Sequence, residues 1–332
     1  MFKFLLLIAA AIVIHHYRGK FLYAWQPRVN DEPFEGDLYQ VGECYVAKRA
    51  SASKPRQSLV CIHGFLEDMR YFTEVYQDPS IELITINSCG YHSPFSLNNL
   101  LKPDWAVSVP YPEGSIEYDA NVLGQAVENL ATTKKIRLHG HSRGGAVVLE
   151  AIKQRPDLLG KLEVVLEAPI LPKGKPYPAL ALVFNKVGLY LLPLTFTLFK
   201  KIPFDFYSGV YKPLTPRKRE LLAGLMHNPK TFTTILENAH NMNEWWEHAE
   251  LSLYDKVAKG TILIGAEDKV LDVRSMTASA EASHKNINVV ITEGTTHFIS
   301  LEAPHYAREL AENAVKTSSR KIKKVTGEAD AP

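Results

Sequence analysis

The chain has 332 residues, of which 46% are hydrophobic and 22% charged; this suits one large globular domain with an insertion and excludes wholesale disorder. Its 38 Lys and Arg against 36 Asp and Glu leave a formal net charge of +2, so no global field attracts nucleic acid, and no nucleic-acid partner is expected. Three cysteines, Cys44, Cys61 and Cys89, are an odd number without metal-ligand spacing, which excludes a closed disulfide framework and favours a reducing compartment.

Residues 4–14 are an unbroken apolar run, preceded by Lys3 and followed by His15, His16, Arg18 and Lys20. As a helix, this run alone would span only about 16 Å, short of the roughly 30 Å hydrocarbon core of a bilayer. Ala9, Ala10 and Ala11 lie inside the run and bulky or polar residues follow it, which is the wrong order for a cleavable secretory signal. An uncleaved membrane anchor within residues 1–24 is therefore expected ahead of a cleaved signal or a buried helix. The basic residues after the run place the body on the cytoplasmic side.

Residues 36–50 have the pattern of an antiparallel entry hairpin with a bend at Gly42. From Ser58 onward, short apolar runs at 59–62, 81–86, 136–138, 162–166, 261–264 and 287–291 predict parallel strands covered by helices on both faces. Residues 118–131 have helical periodicity, with Ala120, Val122, Leu123, Ala126, Val127 and Leu130 on one side. The fold class is thus α/β, a mostly parallel doubly wound sheet. Its core is expected over 25–171 and 256–318. Residues 172–255 contain no buried-strand run and form a mainly helical cap insertion. Within it, 179–199 predicts a helix pair rather than a membrane span, because Pro193 and polar residues break its continuity. Residues 319–332 make a basic, solvated tail.

The chemistry is signalled by Gly140-His141-Ser142-Arg143-Gly144, between the strand ending near Leu138 and the helical run that begins near Gly145. A serine at a sharp strand-to-helix turn has its oxygen exposed, and the following helix points its positive end at any anion formed there. This segment resembles the nucleophile elbow of the α/β-hydrolase family. The resemblance implies Ser142 as nucleophile and His297, on the loop after the last strand, as its base. It also implies Asp268 as the acid that orients the base, since the order Ser142, Asp268, His297 matches the family's. Glu267, Asp272 and Glu167 are rival acids. His63-Gly64-Phe65 resembles the family's oxyanion segment, which assigns the backbone N–H groups of Phe65 and Arg143 to the oxyanion hole, with His63 structural. His141 flanks the nucleophile and is expected to point away from it.

These features imply a serine ester hydrolase working through an acyl-enzyme, without metal or cofactor. Apolar residues of the insertion such as Phe184, Leu189 and Leu192, with the leader, favour an apolar acyl or lipid-like ester and a membrane-associated protein. Acyl transfer by the same residues and a catalytically silent, membrane-tethered binding protein are the alternatives. A dehalogenase is disfavoured, because the resembled dehalogenases carry aspartate where this chain has Ser142. No feature of the sequence selects an oligomeric state.

Overall fold

The computed structural model describes residues 2–51, 54–199, 211, 215–283 and 286–312; the tail expected at 319–332 lies outside them. Strands that are apolar on both sides must be covered on both sides. Every residue of β3 (Gln57–Ile62) and β4 (Ile81–Asn87) is buried. The entry hairpin is β1 (Gly36–Val41) and β2 (Cys44–Arg49), and Gly42 turns it with φ +56°. With β5 (Leu100–Leu101), β6 (Ile136–His141), β7 (Glu163–Glu167), β8 (Lys259–Gly265) and β9 (Ile287–Thr292), these form one nine-stranded sheet in the order β5-β1-β2-β4-β3-β6-β7-β8-β9. From β4 to β9 every neighbouring pair is parallel, while β2 joins β1 and β4 antiparallel. The two-residue β5 is too short to leave a periodic signal and was not expected from the sequence.

The alternation of side chains along β3 separates the two layers. Val60 and Ile62 pack in the larger core with α3 (Ile116–Leu130) and α4 (Arg143–Gln154). Leu59 and Cys61 face the opposite way, toward Phe72 and Val75 of α2 (Arg70–Val75) and Ala307 of α12 (His305–Glu312). The short α5 (Pro156–Leu159) follows α4, α10 (Val273–Glu281) links β8 to β9, and α11 (Ile299–Glu302) precedes α12.

Among the described residues between β7 and β8, the regular elements are all helical: α6 (Pro178–Phe184), α7 (Lys186–Phe199), α8 (Pro216–Ala223), α9 (Phe232–His248) and a 3-10 turn at Leu251–Lys256. The α6–α7 pair is bent by 88° at Asn185, and its Pro193 sits inside α7 without ending it.

The N-terminal helix differs from the sequence expectation. α1 runs over Phe2–Leu22, 21 residues, and so reaches about 31 Å at ~1.5 Å per residue. His15, His16, Arg18 and Lys20 interrupt the apolar run but not the helix, because these residue types have ordinary helix propensity. Among the described residues it is the one continuous helix long and apolar enough to cross a membrane; α6 and α7 meet that test only as a bent pair.

All three cysteines are free and buried. Burial pushes the thiols of Cys44 and Cys61 well up, so they stay protonated. An aqueous thiol reagent is therefore expected to modify none of them in native protein and all three after denaturation, as mass spectrometry of the adducts would count.

Candidate functional site

The C-terminal end of β6 runs into α4 through a single residue, Ser142, whose backbone is forced to φ +51° and ψ −116°. A residue with a Cβ rarely occupies this region, and the strain is held by its neighbours. Ser142 N–H donates to Glu167 O at 2.9 Å, and Ser142 O accepts from Gly145 N and Ile170 N, both at 2.9 Å. The flanking glycines are steric necessities. A Cβ on Gly140 would lie 2.2 Å from Gly144 O, and one on Gly144 would lie 2.2 Å from Ile62 O. The Ser142 side chain is not spent on capping α4.

His297 stands on the loop between β9 and α11, buried, and its Nδ1 lies 2.7 Å from Asp268 Oδ2. The other carboxylate oxygen, Oδ1, accepts from Val270 N at 2.7 Å and Leu271 N at 3.0 Å. Asp268 is thus fixed in place with one oxygen left for the imidazole. The rival acids have other duties. Asp272 caps α10 by accepting from Ser275 N at 2.8 Å. Glu167 accepts from Tyr71 Oη at 2.5 Å and from Ser300 N and Oγ at 2.6 Å, with His139 Nε2 at 3.0 Å. Burial disfavours its charge, but His139, His141 and Ser300 outweigh that and hold its carboxyl down at about 2. Glu267 lies beside Asp268, with its N–H on Thr295 O at 2.9 Å, and Glu267 is not the partner of His297.

The expected oxyanion donors lie on two segments that meet at the Ser142 turn, the start of α4 and the loop after β3. Arg143 is the first residue of α4, so its N–H has no carbonyl within the helix to bond. Its guanidinium is buried and points away, donating to Asp119 Oδ2 at 2.5 Å and Gly114 O at 3.1 Å. Phe65 follows β3, where a Cβ on Gly64 would lie 2.7 Å from Ser142 Cβ; only glycine lets the two segments meet. His63 is structural, as expected. Its Nε2 accepts from Ser88 N at 3.0 Å, which leaves Nδ1 to donate to Gly64 O at 2.8 Å. After Phe65, Leu66 has φ +67° and is clamped by Tyr91 Oη on its N–H at 3.1 Å and by Asn228 Nδ2 on its carbonyl at 2.9 Å.

Two residues outside the expected set tie these segments together. Glu67 Oε2 accepts from Gly64 N at 2.9 Å and from His141 Nδ1 at 2.8 Å. His141 Nε2 in turn donates to His297 O at 2.9 Å, and its ring stacks on Tyr71 with centroids 4.5 Å apart. Burial disfavours a charged His141, but Glu67 outweighs it and raises the imidazole to about 9. His141 therefore points away from the serine, as the sequence suggested, and is a buried cation bridging two loops. Glu67 was missed because an acid in the loop after β3 looks like an ordinary loop residue; its one clue was proximity to the His-Gly pair. Ligand atoms of Glu67, His141 and His297 lie within 4.8 Å of one another. Both ring nitrogens of His141 are taken up by hydrogen bonds, to Glu67 and to the His297 carbonyl.

Residues 59–310 match the description "Alpha/beta hydrolase family". The chain belongs to that family. Its fold is shared with a soluble variant of monoglyceride lipase from Saccharomyces cerevisiae (15% identity, 89% of this chain and 100% of that one, TM-score 0.58). An esterase from Exiguobacterium antarcticum (14%, 85% and 100%, 0.59) and a bromoperoxidase from Bacillus anthracis (17%, 84% and 97%, 0.59) are similar to the same degree. At these identities the likeness is one of fold. No curated protein matches this sequence.

The Glu67–His141 pair has a pH signature. A group whose folded pKa is raised stabilises fully below its unfolded value and loses that contribution as pH rises through the folded one. Stability in urea melts is thus expected to fall between about pH 6.5 and about pH 9. Glu67→Gln is expected to cost on the order of 3 kcal/mol near neutrality, by breaking a buried pair, and to flatten that slope.

Proposed function

We propose that this α/β hydrolase cleaves a carboxylic ester through an acyl-enzyme, with Ser142 as nucleophile, His297 as general base and Asp268 as orienting acid. The observation that carries this reading is the 2.7 Å contact between His297 Nδ1 and Asp268 Oδ2, at the same C-terminal end of the parallel strands as the strained turn at Ser142. A carboxylate accepting the Nδ1 proton leaves Nε2 unprotonated, and that nitrogen takes the hydroxyl proton as serine attacks. The carbonyl oxygen becomes an anion in front of the Phe65 and Arg143 N–H groups, each worth about 3 to 4 kcal/mol in the transition state. Collapse expels the alcohol with the proton held by His297. Water, deprotonated by the same imidazole, then releases the acid and restores Ser142.

The apolar surface above the oxyanion loop favours an acyl chain. The Phe65 ring stands 6.1 Å from that of Phe184, and Phe65 and Leu66 pack with Leu189, Leu192 and Phe196 of α7. In this reading the helical insertion serves as the cap of the site, and α1 anchors the protein to a membrane with its body in the cytoplasm.

Ser142→Ala and His297→Ala are each expected to abolish most hydrolysis of a simple ester and labelling by a fluorophosphonate, with the double variant little worse than either, because the residues act as a unit. Asp268→Asn is expected to lower kcat/KM far more than Asp272→Asn. A folded Ser142→Ala protein with normal turnover would overturn the assignment.

Substitution of Leu189 by Ser is expected to lower kcat/KM for long acyl esters more than for short ones, since each buried methylene contributes about 0.8 kcal/mol. Removal of residues 1–22 should leave turnover of a short soluble ester intact. A chain-length series on both proteins checks this; a preference for short chains in the full protein would remove lipid-like esters from consideration.

A further inference from the structure

Among the described residues, most of the large apolar side chains left in water lie in two places. One is α1 with the residues just after it, where Tyr23 is 74% and Trp25 72% exposed; the other is the α6–α7 elbow, where Leu182 is 71% and Val187 68% exposed. Residues 4–14 of α1 are apolar on every side and all exposed, so only the C-terminal part of the helix rests against the rest of the protein. The two places adjoin. α1 packs along α7, His15 Nδ1 is 2.8 Å from Tyr190 Oη, Arg18 Nε donates to Tyr190 O at 2.9 Å, and the Arg18 guanidinium lies 4.5 Å from the Tyr190 ring centre.

Charge sorts the same way. Residues 1–30 contain Lys3, Arg18, Lys20 and Arg28 and no Asp or Glu, and residues 172–199 contain Lys173, Lys175 and Lys186 and again none, in a chain with 36 acidic residues. A face that is apolar, basic-rimmed and carries Tyr and Trp at the end of a span-length helix has the chemistry of an anionic lipid interface.

We propose that α1 and the α6–α7 elbow form one docking platform on an anionic lipid bilayer, with α7 as the wall between lipid and oxyanion loop. This rests on the anchoring role proposed for α1 and adds that the cap itself enters the bilayer surface. The outer residues Leu182 and Val187 meet lipid, while the inner face of α7 packs on Phe65 and Leu66. An acyl chain leaving the bilayer beside α7 would meet the apolar side chains of Phe65 and Leu66 on the oxyanion loop, so the substrate class is an ester resident in the membrane.

The buried native thiols allow a direct test on the full chain. Val187→Cys, Ile8→Cys and Lys134→Cys, the last at the opposite end of the sheet, are each labelled with an environment-sensitive fluorophore. They are then mixed with phosphatidylcholine vesicles with and without phosphatidylglycerol. The expected result is a blue shift and quenching by spin-labelled lipid at 187 and 8 but not at 134, more strongly on the anionic vesicles. A lipid-embedded probe at 8 with an aqueous probe at 187 would overturn the platform while leaving the anchor. Aqueous probes at both, or equal shifts at all three, would overturn both. As a functional arm, Leu182→Glu with Val187→Glu is expected to slow hydrolysis of a vesicle-borne long-chain ester about tenfold, the loss that one well-buried aliphatic side chain predicts, and to leave a short soluble ester unaffected. Fluorophosphonate labelling of the same preparations tests the hydrolase reading separately, because it needs no lipid.

Discussion

The backbone of Ser142 is the constraint on which the site depends. Its φ of +51° is unfavourable for any residue with a Cβ, by about 1–3 kcal/mol, and it survives because the turn is fastened from three sides. β7 supplies a carbonyl to its N–H, and its own carbonyl takes two amides from α4 and from the segment after β7. The same geometry that strains the serine lifts its side chain off the sheet and brings the N-terminus of α4 beneath it. Gly140, Gly144 and Gly64 are then the only residues that fit, because a Cβ at any of them would collide with the turn or with its neighbour across the sheet.

Buried charge is arranged around that turn in pairs. Glu67 meets His141 and Arg143 meets Asp119. Burial makes each lone charge costly, so each pair is held together more by the penalty of separation than by the attraction itself. The consequence is positional. The Glu67–His141 pair ties Gly64 of the oxyanion loop to the carbonyl of His297, so the two loops expected to act on one carbonyl group share a single brace. Glu302 extends the bracing outward, accepting from Thr296 N at 2.6 Å and pairing with Lys218 of α8.

The helical insertion reaches the oxyanion loop through polar contacts as well as apolar ones. Tyr91, which holds the Leu66 N–H, donates to Asn238 Oδ1 of α9 at 2.9 Å, and Asn238 Nδ2 donates to Gly114 O at 2.7 Å, the carbonyl that also receives Arg143. A displacement of α9 would be felt at both expected oxyanion donors. With α1 fastened to α7 through Tyr190, the proposed membrane contact is linked through the helical insertion to the candidate site.

Much of this was legible in the sequence, and for a local reason. The parallel strands are short apolar runs that must be buried on both faces, and the elbow is a strand, a Gly-His-Ser-Arg-Gly turn and a helix in immediate succession. The order of Ser142, Asp268 and His297 could be matched to a family by eye. The length of α1 was misjudged because hydrophobicity stops at Ile14 while hydrogen-bonded helix continues to Leu22. What tertiary structure alone decided is which groups meet. Asp268, Glu167 and Asp272 are chemically alike and similarly placed after strands; only the folded chain commits one to His297, one to Tyr71 and Ser300, and one to capping α10. Glu67 and His141 are 74 residues apart, and α1 and Tyr190 are further still. Periodicity and motif describe what a residue does to its near neighbours in the chain, whereas burial and pairing across such distances exist only once the sheet has assembled.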